Sequence, residues 1–429
     1  MTAEIGILNR SGVALAADSA VTIGGEGNEK VYNSANKLFS LSKIHPVGIM
    51  IFGGADFMGV PWETIIKTYR EKLGSHKYDS LVDYCNDFIL FLKTDSRLYN
   101  NETEKELVEK IFYNELLSML NNGVNEEINN LTIIGEPVGN NDVEKIMKDE
   151  LEKRLEILSE QEVILNNENF LGDFIQKYTD TIVTVLEEIV NFELQQETKD
   201  LYVEFCAKLV QSDIFSRNYS GLVIAGYGEE EIFPSLYEFQ IEGIIMDELK
   251  YEERPSININ SYNDETYSTA AMRPFAQKEM VYSFMNGIEP SLQENIMHII
   301  KTTIDAYNEI ITEKFSFEKD FLDFSEGISE QLVENIFREV DKIQSNNYAQ
   351  PIMEILDILP KEELAAMAEA LVNLTSFKRR ISLDAESVGG PIDVCVITKG
   401  DGLVWIKRKH YFDPKLNYGF FQNYLKGME

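Results

Sequence analysis

The second residue of the chain, Thr2, carries a hydroxyl that could act as a nucleophile beside its own amine. A penultimate threonine is small enough for methionine aminopeptidase to remove Met1, which would leave Thr2 with a free α-amine. That amine has a reference pKa of about 7.7, so near neutrality it could accept the hydroxyl proton at the moment of attack. Because many cytosolic proteins begin with Met-Thr, Thr2 alone does not predict catalysis.

Two charged residues lie at the ends of predicted strands downstream of Thr2. Asp18 ends the apolar run VALAAD, where an unpaired carboxylate would be costly and needs a partner. Lys37 opens the alternating run NKLFSLS and is the obvious cation. A lysine beside the Thr2 amine would lower the pKa of that amine by like-charge repulsion, and Asp18 would hold and neutralise the lysine. Each residue taken alone is also explained as a solvated charge at a strand end.

The opening sequence, MTAEIGILNRSGVALAADSAVTIGG, resembles the start of the proteasome β-subunit and HslV superfamily of N-terminal-nucleophile (Ntn) hydrolases. In that family the mature chain begins with the nucleophilic threonine. An aspartate follows sixteen positions later, and a lysine opens a strand some sixteen residues beyond it. Here Asp18 lies sixteen positions after Thr2, and Lys37 lies nineteen after Asp18. The excess falls in the loop GGEGNEKVYN, where an insertion costs little.

The resemblance implies three further site residues. Gly53, the first glycine of IFGGAD, matches a family glycine whose backbone N–H stabilises the oxyanion, since a side chain there would block the substrate carbonyl. Asp384 and Ser387, in SLDAESVGGPIDVCVITKGDG, take the places of two family residues that hydrogen-bond around the terminal amine. Val388 is an extra residue after Ser387, so the spacing here departs from the family pattern.

The family also has a serine just before a mid-chain helix. In this chain the residues before the predicted helix FAQKEMVYSFMNGI are those from Ala270 to Pro274, and none of them is a serine. Ser268 or Thr269 could substitute only if the chain bends, and neither is assigned to the site. Altogether the resemblance covers residues 1–93, 216–245 and 365–410, roughly half of the chain.

The elements that would position these residues follow the order strands, helices, strands, helices, strands. The turns Asn9-Arg10-Ser11-Gly12 and Lys399-Gly400-Asp401-Gly402, each between apolar runs, predict antiparallel hairpins near both chain ends. The resemblance implies an α+β fold, a four-layer α/β/β/α sandwich. Its core would be residues 1–94, 216–290 and 365–429. The segments 95–215 and 291–364, with apolar residues at helical spacing, would be helical insertions.

Composition narrows the classes of partner. The formal net charge of −34 would repel phosphate backbones and anionic lipid surfaces, so neither nucleic acid nor a membrane is expected to bind. Three scattered cysteines make no disulfide framework, and four scattered histidines have no metal-ligand spacing. The N-terminus lacks the features of a signal peptide, and no apolar stretch reaches transmembrane length. We therefore expect a cytoplasmic protein without a metal or organic cofactor.

The function that follows is hydrolysis of peptide or amide bonds by an N-terminal threonine. A peptide or protein substrate is expected, together with assembly into a homo-oligomer, whereas an unfoldase partner is left open. Two alternatives remain. The Ntn fold also hosts amidases and acylases that act on small molecules, because a fold does not determine a substrate. The chain could instead be a non-catalytic subunit or scaffold of the same fold, which retention of Met1 would favour.

Overall fold

The computed structural model describes residues 2–23, 30–133, 137–165, 167, 169–264, 266–314, 319–382 and 388–425. These residues form a mixed α/β protein with antiparallel sheets, which confirms that part of the predicted fold class. The four-layer sandwich stays a prediction. The chain divides into two compact units, the first comprising Met1–Met50, Ala225–Leu236 and Ile257–Glu429 and the second Ile51–Ile224 and Tyr237–Ser256.

The strands are β1 Ala3–Asn9, β2 Gly12–Ala17, β3 Val21–Ile23, β4 Lys30–Tyr32, β5 Leu38–Ser40, β6 Val47–Gly53, β7 Asp56–Phe57, β8 Val60–Pro61, β9 Ser220–Gly226, β10 Ser235–Ile245, β11 Glu248–Asn258, β12 Ala270–Ala276, β13 Asp393–Thr398 and β14 Gly402–Lys407. One five-stranded sheet has the order β12-β1-β2-β13-β14, and another has the order β11-β10-β9-β6-β5. The pairs β3-β4 and β7-β8 form small separate ladders.

The α-helices are α1 Trp62–Leu73, α2 Leu81–Thr94, α3 Asn101–Met119, α4 Asn125–Ile133, α5 Asn140–Ser159, α6 Phe170–Ile189, α7 Gln196–Gln211, α8 Glu279–Asn286, α9 Pro290–Lys314, α10 Lys319–Gln344, α11 Gln350–Ile358, α12 Lys361–Ile381 and α13 Tyr418–Leu425. Single π-helical turns at Leu120–Val124 and Ser345–Ala349 follow α3 and α10. Within the described ranges, none of the helices combines the length and the apolar character that crossing a membrane requires.

The sheet that carries the chain start is antiparallel throughout. The two predicted hairpins are confirmed, since β1 pairs with β2 and β13 with β14. Asn9 makes the first turn because its side-chain oxygen accepts from the Ser11 N–H at 2.8 Å. The Asn9 amide also donates to Leu356 O, in the last turn of α11, and to Leu359 O, just after that helix, at 2.8 Å each. The hairpin end is therefore tied to a helix end.

Helices α8, α11 and α12 cover one face of this sheet. Alternate residues of β1, namely Ala3, Ile5 and Ile7, share a core with apolar residues of these helices. On α12 the buried residues include Leu364, Leu371 and Val372, which recur at helical spacing. Each such side chain stabilises the fold by about 1.5–3 kcal/mol when fully buried.

The opposite face of the sheet packs against the start of β6. A Cβ built on Gly48 would lie 2.8 Å from the Ile397 side chain and 3.4 Å from that of Leu15, so glycine allows this close approach. The first unit thus has helices on one side of the sheet and the start of strand β6 on the other. Thr2 immediately precedes β1, so the packing of this sheet fixes the position of Thr2.

The second unit has its own apolar core, built mainly by helices α3 to α7 with Ile245 of β10. These helices occupy the segment 95–215. Buried Glu104 of α3 accepts from Lys177 at 2.9 Å and from the Tyr178 hydroxyl at 2.6 Å, and thereby ties α3 to α6. Its carboxylate also accepts from the Met246 N–H at 2.7 Å, which joins the helices to the end of β10. These three donors all bond to the buried Glu104 carboxylate, and their hydrogen bonds offset the cost of burying it.

Candidate active site

Thr2 is placed by the pairing of β1 with β12. The ladder runs from Asn9, opposite Ala270, to Ala3, opposite Ala276. One step further, the Thr2 carbonyl accepts from the Gln277 N–H at 3.1 Å. The Thr2 residue is only 6% exposed. Thr2 is therefore buried at the end of a sheet.

Asp18 follows β2 directly beside the start of β1 and is fully buried. Its backbone N–H donates to Ala3 O at 3.1 Å. The Oδ1 atom accepts from the Ala3 N–H at 3.2 Å, and Oδ2 accepts from the Ala20 N–H at 3.2 Å and from the Gly389 N–H at 2.9 Å. These donors offset the desolvation of the carboxylate and orient it.

Lys37 completes a three-residue cluster. Its ammonium donates to Asp18 Oδ1 at 2.6 Å and to Thr2 Oγ1 at 3.0 Å. The side chain of Lys37 is 9% exposed and that of Asp18 is 0% exposed, so water screens this ion pair little. The structure therefore brings together Thr2, Asp18 and Lys37, three of the residues assigned from the sequence. A hydroxyl, a cation and an oriented carboxylate in contact are suited to nucleophilic catalysis.

The glycine pair before β13 closes over Asp18. The Gly389 carbonyl accepts from the Ser19 N–H at 3.1 Å, and the Gly389 N–H donates to the Asp18 carboxylate. Two hydrogen bonds therefore join Gly389 to the turn at Asp18 and Ser19. Gly390 has φ +78°, and a Cβ there would lie 2.8 Å from the Cβ of Asn33. Only glycine fits both conditions without strain. Asp384 and Ser387, assigned from the resemblance, lie outside the described residues.

Gly53 ends β6 and belongs to the second unit. It adopts φ +76°, and a Cβ added to it would lie 2.4 Å from the Tyr219 carbonyl oxygen. The next residue, Gly54, donates its N–H to the same oxygen at 2.9 Å. A glycine is thus required at position 53 by backbone geometry alone, whatever its part in catalysis.

Ser268 and Thr269 do not lie beside Thr2. They precede β12, whose first residue, Ala270, pairs with Asn9 at the far end of β1. The residue that the register places next to Thr2 is Gln277, which is buried and whose side-chain oxygen accepts from Arg379 Nε at 2.7 Å. The preceding Ala276 has φ +59°, a strained conformation for a residue with a side chain. Sequence reasoning missed Gln277 because the β1–β12 register depends on residues far apart in the chain.

Glu4 is a second residue that sequence reasoning missed. It is 2% exposed, and within the described part of the chain neither of its carboxyl oxygens has a hydrogen-bond partner. Burial raises the pKa of this carboxyl well above its usual range, the positive charge of Lys37 opposes the rise, and the negative charge of Asp18 adds to it. The signal in the sequence was an acid inside the otherwise apolar run AEIGILN.

Histidine, cysteine and acidic side chains are possible metal ligands, and cysteine thiols are possible nucleophiles, in the part of the chain that the structure describes. No group of three or more His, Cys, Asp or Glu side chains among the described residues could hold a metal ion. Cys85, Cys206 and Cys395 are buried free thiols, and burial raises the pKa of the Cys395 thiol. A buried thiol with a raised pKa is a poor nucleophile.

No protein-family model matches the chain, and no curated protein is significantly similar to it. The features that indicate a function are therefore the cluster of Thr2, Asp18 and Lys37 and the family resemblance of the residues around them.

Proposed function

We propose that the chain is an Ntn hydrolase of the proteasome β-subunit type, which cleaves peptide or amide bonds once removal of Met1 makes Thr2 the first residue. The observation that carries the proposal is the 3.0 Å contact between the Lys37 ammonium and the Thr2 hydroxyl, with Asp18 holding the ammonium at 2.6 Å. The family resemblance assigns the nucleophile and its two charged partners to these same three residues.

The proposed reaction has two steps. The Thr2 Oγ attacks the substrate carbonyl while the Thr2 amine takes the hydroxyl proton and then delivers it to the departing amine. The ester that remains on Thr2 is hydrolysed by a water molecule, whose proton passes to the amine and from there to Thr2 Oγ as the carboxylic acid product leaves. Lys37 favours the neutral, basic form of that amine by like-charge repulsion, and Asp18 orients Lys37. The resemblance assigns the oxyanion donor to the Gly53 N–H and the orientation of the amine to Asp384 and Ser387.

The same proposal includes the four-layer α/β/β/α sandwich. Support comes from the first unit, where α12 packs on the sheet that contains β1 and β6 packs on its other face. Cytoplasmic location, a peptide or protein substrate and assembly into a homo-oligomer also belong to the proposal, because family members form closed rings with enclosed active sites. Neither nucleic acid, a membrane nor a cofactor has a part in it.

The decisive experiment uses a peptide epoxyketone, because its ketone reacts with the threonine hydroxyl and its epoxide with the α-amine of the same residue. Intact-mass analysis of protein from the native host should first show loss of Met1. The epoxyketone should then add once, at Thr2, and stop turnover of amide substrates. Thr2→Ala should fold and remain unlabelled, whereas Thr2→Ser should be labelled and retain some activity.

The other outcomes separate the alternatives. Quantitative retention of Met1 with no labelling would overturn the catalytic proposal and favour a non-catalytic subunit or scaffold. Labelling at Thr2 with turnover of small amides but not of peptides would keep the mechanism and replace peptidase by small-molecule amidase or acylase. Equal turnover by Thr2→Ala and the wild type would place the nucleophile elsewhere.

A further inference from the structure

The carboxyl of Glu4 shares a face of β1 with Thr2. Successive side chains of a strand point to opposite faces, and Ala3, Ile5 and Ile7 belong to the core under the helices. Thr2, Glu4 and Gly6 are therefore directed to the other face. Glu4 is the residue between the catalytic candidate and the apolar interior of the first unit.

The surroundings of Glu4 along the sheet are apolar. Its neighbours across the two adjacent strands are Ala17 on β2 and Phe275 on β12. A Cβ at the next position on this face, Gly6, would meet the side chains of Leu236, Leu15 and Phe275 at 2.8–3.5 Å. A buried carboxylate without hydrogen bonds is strongly disfavoured in such a place, and no hydrogen bond of Glu4 in the described structure offsets its desolvation.

Two charged groups act on Glu4, and both belong to the cluster around Thr2. Lys37, which precedes β5, attracts its negative form, and Asp18, which follows β2, repels it. The Lys37 ammonium has three N–H groups. Two of them donate to Asp18 and Thr2, and the third has no partner among the residues that the structure describes. Glu4 is thus a buried carboxyl without described partners, on the face of β1 that carries Thr2 and under the influence of both charges of the cluster.

We propose that Glu4 is a positioning residue that sets the net charge of the cluster formed by Thr2, Asp18 and Lys37, and through that charge the readiness of the Thr2 amine to accept a proton. With Glu4 protonated, the charges of Lys37 and Asp18 cancel, and the cluster has no net negative charge that would retain a proton on the neighbouring amine. With Glu4 ionised, the cluster carries −1, which favours the ammonium form of Thr2 and withdraws the base. The proton that Glu4 releases passes to that amine or to water. This inference rests on the proposed function.

The test measures the Thr2 amine itself rather than turnover. The full chain is produced as a fusion whose cleavage leaves Thr2 as the first residue, with ¹⁵N in threonine. The amine is then titrated by NMR or by the pH dependence of its acylation. We expect the midpoint in Glu4→Gln to lie up to about one pH unit below that of the wild type, because the variant cannot acquire the negative charge that Glu4 gains when it ionises in the same pH range.

The matched control is Glu144→Gln. Glu144 is a buried carboxylate of α5 that accepts from Gln195 N and Thr198 Oγ1 at 2.7 Å each and lies in the second unit. Its substitution should leave the Thr2 midpoint unchanged. If Glu4→Gln does not fold, Glu4→Met removes the same charge with a side chain of similar length. Equal midpoints in the wild type and the folded Glu4 variant would overturn the inference.

Activity supplies a separate readout. The acidic limb of the kcat/KM profile should move to lower pH in Glu4→Gln together with the amine midpoint. A shifted midpoint in a protein that hydrolyses nothing would refute the proposed function and leave the charge control by Glu4 in place. Turnover with an unshifted midpoint would refute the charge control by Glu4 and leave the proposed function in place. The two proposals therefore fail separately.

Discussion

The Lys37 ammonium lies 3.0 Å from the Thr2 hydroxyl oxygen, although 35 residues separate them in the chain. The contact forms because Asp18, just after β2, accepts a hydrogen bond from the N–H of Ala3, the neighbour of Thr2, and forms an ion pair with Lys37. Asp18 is itself held by the Gly389 N–H from the segment before β13. Three separate parts of the first unit thus converge on one carboxylate, which makes the geometry at Thr2 a property of the sheet rather than of a loop.

Replacement of Lys37 should impair both activity and stability. In Lys37→Met the Thr2 amine loses its electrostatic tuning, and we expect kcat/KM to fall roughly 10²- to 10⁴-fold. The buried Asp18 carboxylate also loses its cation but keeps three backbone donors, so the free energy of unfolding should fall by about 3 kcal/mol. Amide-substrate kinetics and urea unfolding measure the two effects.

The control for Lys37 is Lys361→Met, which breaks the exposed ion pair with Asp401. Solvent screens such pairs, so neither activity nor unfolding should change measurably. A Lys37→Met variant as active as the wild type would show that its ammonium does not tune the nucleophile, even if stability falls as expected.

The turn at Gly53 should be intolerant of any side chain. Gly53→Ala places a Cβ 2.4 Å from the Tyr219 carbonyl oxygen in a backbone with φ +76°. Gly59 offers a matched control because its φ is +80° but a Cβ there meets nothing within 4 Å. Gly59→Ala should therefore cost only the left-handed conformation, about 1–2 kcal/mol, and Gly53→Ala clearly more. Equal unfolding free energies of the two variants would show that the β6 end relaxes freely.

Helix α9 carries an exposed apolar stripe that favours self-association. Five large exposed residues lie along one face of the helix, at spacings of four, three, eight and three: Leu292, Ile296, Ile299, Tyr307 and Ile310. The seam towards α10 uses other positions, such as Asn308, which bonds to Ser329. Exposed apolar stripes of this kind are typical of protein–protein contacts.

We expect the purified full chain to be a homo-oligomer and the double variant Ile296→Glu, Ile299→Glu to form smaller particles, because charge at this stripe opposes burial. Multi-angle light scattering gives both masses. Asn295→Glu adds a charge at an exposed position beside the stripe and should leave the particle mass unchanged. A monomeric wild type, or an unaltered mass in the double variant, would show that α9 is not the contact.

The sequence allowed prediction of what depends on local or closely spaced residues. The hairpin at Asn9 follows from turn chemistry, and the approach of Lys37 to Thr2 followed from a spacing of charged strand ends read with the family resemblance. Gln277 could not be predicted, since its place beside Thr2 depends on the register of β12, far along the chain. The burial of Glu4 could not be predicted from the sequence, because a single acid in a strand normally faces water. That both faces of β1 are buried depends on tertiary packing.

The pH dependence of the free energy of unfolding tests the role of Lys250, a residue of β11 in the second unit. It is 2% exposed, and its ammonium donates to Ile214 O at 2.6 Å and to Leu209 O, in the last turn of α7, at 3.2 Å. Burial lowers the pKa of Lys250 from 10.5 to about 8, against the attraction of Glu242 and Asp213. Between about pH 8 and 10.5 the unfolded chain therefore holds a proton at this lysine that the folded chain has released.

Because the unfolded state binds more protons in that window, the contribution of Lys250 to the free energy of unfolding must rise with pH, by up to about 3 kcal/mol, and stay level below pH 8. Lys250→Met removes the titrating group, so the difference between wild type and variant isolates it from the tyrosines that also titrate there. We expect urea unfolding from pH 7 to 10 to show the wild type gaining on Lys250→Met only above about pH 8. Parallel curves over this range would mean that Lys250 stays protonated, held by the two carbonyls as a cap on the end of α7.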